Sequence, residues 1–449
     1  MLRLYHKFIR LSNRKILLVI FLLALTVRLI YSVYAYVNID PNDPELFNNL
    51  YYFIAQDIVE QGTPFYQTDD PYKDVVGPVM PWLNALGLLI SGDNWIGIFL
   101  VSVLFSTLVV FYIVKTALLI SSKTVAILAG LVSSINPLFL HFTATPGKDI
   151  VMAFFIIYLI YELLYLFEYK TFSYLRFMMF TLMFVISFHL DERFVIFAPF
   201  ILLFILVKET DRLKKLKIKK SLLFIVFVIV LMIPWTIHNF NKFDKVVILT
   251  TRTEKYTDQL FGYEKNEPYF SEDFTDIKGL YYIHDYQIDS VISGKKTVTD
   301  AGYHIPAHWV KAMKQGKMPR PLMGFDAFLS RIVVMYEPFQ WTGRWLRTGY
   351  YYEEYSLRHN LVSFLFYGIF FLFSLPGFYF LYFHNKTTFY LSISTIIIYT
   401  IIHSILIPYT VWRYRLPLDA LFVIVGLFGF FKTLQKMLPK LCYKLFLSE

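Results

Sequence analysis

One feature restricts this chain more than any other: apolar runs of about twenty residues recur along most of its length. The first covers 16–36, and nine more follow at about 94–117, 124–142, 149–167, 172–189, 194–207, 221–239, 360–382, 388–405 and 416–432. Inside a bilayer each backbone N–H and C=O must be satisfied within its own segment, so runs of this length form helices. The chain of 449 residues is 57% hydrophobic and 19% aromatic, too little polar surface for a soluble domain of this size. The expected fold class is therefore an α-helical polytopic membrane protein of about ten transmembrane helices.

The net charge of +10 raises the question of nucleic acid. The Lys and Arg residues instead sit at the ends of apolar runs, where they orient helices against anionic lipid, and nucleic acid is not an expected partner. A single cysteine, Cys442, rules out an internal disulfide and a Cys-rich metal site. Lys7, Arg10, Arg14 and Lys15 precede the first run, which ends in bulky Tyr34 and Tyr36 in place of a small-residue cleavage site. This reads as a retained first helix with a cytoplasmic N-terminus.

Alternation from that start puts the dense basic run at 208–220, Lys123, Lys170, Lys386 and the tail from 432 to 444 inside, as the positive-inside tendency predicts. The apolar stretch 76–90 is short and carries Gly77, Pro78, Pro81 and Gly87. Were it to span, the basic cluster would move outside, so it is expected to be re-entrant or interfacial. Three regions result: 1–239, a membrane bundle with an acidic first outer loop at 37–93; 240–359, an extracytoplasmic mixed α/β domain; and 360–449, the last helices and a cytoplasmic tail. Within the outer domain, 245–250 alternates like a strand and 306–314 reads as a helix.

The chemistry-bearing residues fall on the outer side. Asp40, Asp43 and Glu45 stand directly after the first helix. Asp43 before Pro44-Glu45 makes a good helix N-cap, the reading local sequence favours; the alternative is a general base above a membrane cavity. Lys73, between Asp70 and Asp74, can pair with an acid or face an anionic ligand. Arg28 lies about two turns inside the first run, where an unpaired charge costs about 2–3 kcal/mol; it either snorkels to the interface or lines a polar cavity. Lys148-Asp149, the segment from His189 to Arg193, and Arg413 with Arg415 stand at outer helix ends. Each serves as an interfacial anchor if taken alone; together they suit a lipid-linked phosphate or pyrophosphate.

Phosphate-binding and dinucleotide glycine loops are absent, as is His-Glu-x-x-His, and Pro306 spoils the helical spacing of His304 and His308. No metal and no cofactor are expected. The sequon at Asn385-Lys386-Thr387 falls on the cytoplasmic side and is read as chance.

Several motifs then line up in order: Arg28 late in the first helix, Tyr51-x-x-x-Ala55 leading to Gly62, Pro78-x-x-Pro81, and Lys148-Asp149 opening a helix. The most specific are Pro234-Trp235-Thr236-Ile237-His238-Asn239-Phe240 and Arg413-Tyr414-Arg415-Leu416-Pro417-Leu418. In these the chain resembles the GT-C membrane glycosyltransferases, especially the glycosyltransferase 39 group of protein O-mannosyltransferases and the bacterial aminoarabinose transferase. It departs from them twice. The acid that relatives carry four residues before the tyrosine would fall on Phe47, with Glu45 and Asp43 nearest, and His238 replaces an arginine.

The resemblance implies transfer of a sugar from a polyprenyl-phosphate donor to an extracytoplasmic glycan, lipid or protein, with a first-loop acid as base. Asp43, then Glu45, are the expected bases. Lys73, Lys148, Arg193, Arg413 and Arg415 are expected at the donor phosphate, with Arg28, Asp74, Asp149, His189 and His238 as further cavity residues. A lipid phosphate leaves without a general acid, so one carboxylate is enough, and attack opposite the phosphate inverts the anomeric centre. The competing readings are a polysaccharide polymerase or ligase using a lipid pyrophosphate, a secondary transporter, and a non-enzymatic assembly protein. The absence of an internal repeat weighs against the transporter, and no motif favours an assembly protein.

Overall fold

The structure is a computed structural model describing residues 11–38, 50–64, 76–92, 95–144, 147–169, 173–208, 214–244, 246–250, 361–406 and 412–439, with short pieces between 328 and 336. Asp43, Glu45, Lys73 and Asp74 lie outside the described residues, as does nearly all of the expected outer domain at 240–359.

Thirteen α-helices are described: α1 (Asn13–Asn38), α2 (Leu50–Gln61), α3 (Val79–Ser91), α4 (Trp95–Ile120), α5 (Lys123–Ile135), α6 (Pro137–His141), α7 (Asp149–Leu164), α8 (Tyr174–Leu190), α9 (Phe197–Lys208), α10 (Lys214–Phe243), α11 (Ile369–His384), α12 (Lys386–Leu406) and α13 (Leu416–Met437). There is no strand among the described residues. Val247 and Leu249 are buried while Val246 and Ile248 are exposed, so the alternation expected at 245–250 is present without a pairing strand.

Seven helices are long and apolar enough to cross a membrane, or eight if α5 and α6, bent by 45°, act as one broken span. This differs from the expected ten. Helices stand at the other two positions, but α8 has 17 residues and α9 has 12, about 25 and 18 Å of rise against a hydrocarbon core of about 30 Å. The polar segment at 191–193 and the 3-10 turn Glu192–Ile196 interrupt what reads in sequence as nearly continuous apolar chain. Helix α3 has 13 residues, too few to cross, in keeping with the expected non-spanning segment.

α7 forms the centre. Nearly all of its residues are buried, packed by α4, α8 and α13. It has no polar face because helices surround it, the pattern of an interior membrane helix. Helices α2 and α3 pack on α4 through Ile54, Ala55, Leu88 and Ile98, and the Tyr52 ring stacks on Trp95 at 4.0 Å. Helices α2 and α3 are thus fixed to the bundle where α4 begins.

Candidate active site

Side chains from distant parts of the chain meet at one end of this bundle, where α1, α8, α10 and α12 end and α7 and α13 begin. At their centre is Asp191, immediately after α8 and fully buried. Its side chain caps the following turn by accepting from the Arg193 backbone N–H at 3.1 Å. The carboxylate also accepts from Arg193 Nε at 2.5 Å and from Arg193 Nη2. Lys148, at the start of α7, places Nζ 2.5 Å from Asp191 Oδ2. Arg193 Nη1 then donates to His403 Nε2 of α12 at 2.7 Å. A ring nitrogen that accepts from a guanidinium is unprotonated, so His403 is neutral here.

Within this hydrogen-bonded trio two cations face one carboxylate, and the buried Glu192 and half-buried Asp149 stand beside it. Burial alone would raise the Asp191 carboxyl, but the charges of Arg193 and Lys148 and their hydrogen bonds outweigh it and hold it well below the usual carboxylate range. Burial likewise opposes the charge on Lys148, and Asp191 overrides it, raising the ammonium above its ordinary value. Both groups therefore stay ionised at neutral pH.

The cluster is sealed on most sides. Arg193 is 6% exposed, Asp191 not at all, and the Lys148 side chain 13%. Lys148 is its contact with the outside, and Asp149 beside it is half-buried. The Tyr399 ring lies tilted against His403 at 4.5 Å, and its buried hydroxyl has no partner among the described residues. Gly77 ties the start of α3 to this place: a Cβ there would run into the His189 carbonyl. His189 itself is buried with its ring 6.0 Å from Trp235.

The motif at 234–240 holds the chain that follows α10. Trp235 and Asn239, one turn apart, face the same way. Trp235 Nε1 donates to the Leu249 carbonyl at 2.7 Å, and Asn239 Nδ2 donates to Val247 at 2.8 Å. His238 is half-buried with its ring 5.1 Å from Trp235.

Two expected site residues are placed differently. Arg28 does not snorkel: it is fully buried. Its Nε donates to Ser106 Oγ at 2.6 Å, Nη1 to the Ala24 and Ser134 carbonyls at 3.2 Å, and Nη2 to the Ser133 carbonyl at 3.1 Å. It satisfies the last carbonyls of α5 where the chain bends into α6, with its charge at the negative end of a helix. Arg415, also fully buried, pairs with Asp419 through Nε at 2.8 Å and donates from Nη1 to the Met335 carbonyl at 3.2 Å. Its guanidinium lies 3.1 Å from the Tyr367 ring centroid. Arg415 thus fastens α13 to neighbouring segments and faces no open surface. Arg413 lies in the turn Trp412–Arg415, and its side chain is outside the described residues.

Asp191 and His403 were not among the expected site residues. Asp191 stands between two that were, and His403 is an ionisable residue inside an apolar run, which is a signal in itself. Among the described residues no three His, Cys, Asp or Glu side chains are grouped to hold a metal ion.

Residues 74–238 match the family described as dolichyl-phosphate-mannose-protein mannosyltransferase. That stretch contains Lys148, Asp191, Arg193 and Trp235. Among solved structures the chain is similar to the Archaeoglobus fulgidus oligosaccharyltransferase in its apo form, at 13% identity and a TM-score of 0.53, covering 95% of this chain and 51% of that one. The same enzyme tethered to an acceptor peptide containing the NVT sequon matches at 14% identity and a TM-score of 0.51, with 94% and 50% covered. This chain spans about half the length of that enzyme. No curated protein matches it in sequence. The resemblance to GT-C membrane glycosyltransferases is borne out by the family match and by the shared fold.

Proposed function

We propose that this chain is a membrane glycosyltransferase that moves a sugar from a polyprenyl-phosphate carrier to a hydroxyl of an extracytoplasmic glycan, lipid or protein. The observation that carries this reading is the buried cationic cluster of Lys148, Asp191 and Arg193 within the matched segment 74–238, at the mouth of a bundle with the oligosaccharyltransferase fold. The description of that family names a lipid-phosphate sugar as donor.

In this mechanism Lys148 meets the donor phosphate, because it keeps ammonium protons beyond the one directed at Asp191 and is partly exposed. Arg193 acts through Asp191, fixing the carboxylate that orients Lys148. A cation already in place stabilises charge as it develops on the departing phosphate, with little reorganisation. The base is a first-loop acid, Asp43 or Glu45, which removes the acceptor proton from the side opposite the phosphate and inverts the anomeric carbon. Lys73 and Arg413 are further candidates for the phosphate. Active face and outer domain lie outside the cytoplasm, and both termini within it, following the distribution of Lys and Arg.

The test is transfer by the purified chain in proteoliposomes supplied with defined lipid-monophosphate and lipid-pyrophosphate sugars. Product from the monophosphate donors supports the proposal. Product from pyrophosphate donors alone makes the chain a polymerase or ligase, and accumulation of substrate without covalent product makes it a transporter.

A further inference from the structure

The opposite end of the bundle holds a second charge cluster, of buried Glu162 with half-buried Lys115 and Arg176, that the transfer reaction does not use. Glu162 of α7 is buried, and both of its oxygens are taken by Arg176 of α8, from Nε at 2.5 Å and from Nη2 at 2.9 Å. The Arg176 guanidinium also lies 3.4 Å from the Tyr165 ring centroid. Beside this pair Lys115 of α4 points its ammonium at three rings, 4.2 Å from Tyr161, 4.9 Å from Tyr112 and 5.3 Å from Phe111. Among the described residues Lys115 has neither a carboxylate within ion-pair distance nor a hydrogen bond. Lys219, over the Tyr174 ring at 5.8 Å, and Lys220, over Phe167 at 5.7 Å, add positive charge from α10.

The cluster is therefore cationic, lies between helices, and is ringed by tyrosines. Lys115 is five residues from the end of α4, about 7 Å along the axis, which puts it near headgroup depth, where Tyr side chains concentrate. Aromatic faces attract an ammonium but leave its N–H donors without acceptors. An anion held between α4, α7 and α8 would supply them.

We infer that Lys115 and Arg176 form a binding site for the phosphate of an anionic phospholipid, at the end of the bundle away from the proposed active face. Basic pockets between membrane helices bind such headgroups by direct charge-assisted contacts.

The experiment is native mass spectrometry of the detergent-purified full chain, titrated with phosphatidylglycerol, phosphatidylcholine or inorganic phosphate. Phosphatidylglycerol is expected to remain bound where phosphatidylcholine does not. Lys115→Gln should weaken it about fivefold, the equivalent of about 1 kcal/mol for one basic residue near the membrane surface, and Lys115→Arg should retain it. Equal retention of phosphatidylcholine overturns the proposal, and needs only the unaltered chain. So does an unchanged affinity in Lys115→Gln, or an equal loss in Lys436→Gln, which removes an exposed cation at the same end. Inorganic phosphate that competes fully with the lipid would make the site one for free phosphate and likewise overturn it.

Discussion

Lys148 Nζ lies 2.5 Å from Asp191 Oδ2, joining the first turn of α7 to the residue that follows α8. The contact places a lysine ammonium at the mouth of the bundle and holds it there through a carboxylate that is itself gripped by Arg193. Removing Asp191 leaves two buried cations facing each other. Breaking a buried pair in this way costs about 3–5 kcal/mol. Asp191→Ala is expected to lower the thermal midpoint in detergent sharply, while Lys148→Gln, which leaves Asp191 paired with Arg193, lowers it much less.

The same pair sets a pH dependence. The folded-state pKa of Asp191 is depressed, so its contribution to stability is fully present above the ordinary carboxylate value of about 3.9. It is lost as pH falls from there through the lower folded value. Acid unfolding followed by circular dichroism should show this loss in the unaltered chain, and Asp191→Asn should flatten that part of the profile.

Arg28 bridges α1 to Ser106, Ser133 and Ser134 with its fork of donors. A lysine carries the charge but cannot reach all three. Arg28→Lys is expected to cost about 2–3 kcal/mol, the value of hydrogen bonds made by a buried charged group, measured as a lower thermal midpoint with the helical signal intact.

Among the described helices, α11 and α13 make the most extensive contact, and at Gly426 a Cβ would strike the Phe370 carbonyl. Small residues allow such backbone approach in membranes. Gly426→Val should destabilise by about 1–3 kcal/mol through overpacking, seen as earlier unfolding of the purified chain.

Lys148→Gln tests the phosphate contact. It should reduce transfer about 100-fold, the usual effect of deleting one preorganised donor, with the folded state retained by circular dichroism. Transfer at the unaltered rate would remove Lys148 from the mechanism.

Much of this arrangement is legible from the chain, and the remainder has a common cause. The helices at 16–36, 94–117 and 149–167 follow from apolar length alone. The segment at 234–240 announces itself because Trp235 and Asn239, one turn apart, act on carbonyls 14 and 8 residues ahead. The roles of Arg28 and Arg415 are not local. Ser133 and Ser134 are more than 100 residues from Arg28, and Met335 is 80 from Arg415; only Asp419, four residues after Arg415, is a local sign that this arginine is already paired. His403 was missed for the same reason, its partner Arg193 being 210 residues away. The helices at 172–189 and 194–207 are present but short, because hydropathy marks an apolar run at 194–207 but not the polar turn before it.

The central claim is sugar transfer from a lipid phosphate driven by a first-loop base. The most direct measurement is the initial rate of transfer in proteoliposomes from a polyprenyl-phosphate sugar, comparing the unaltered chain with Asp43→Ala, Glu45→Ala and the double variant. General-base catalysis contributes about 10²–10⁴-fold, so the double variant is predicted to lose activity on that scale, with one single variant accounting for most of it. Full transfer by all three variants would contradict the account.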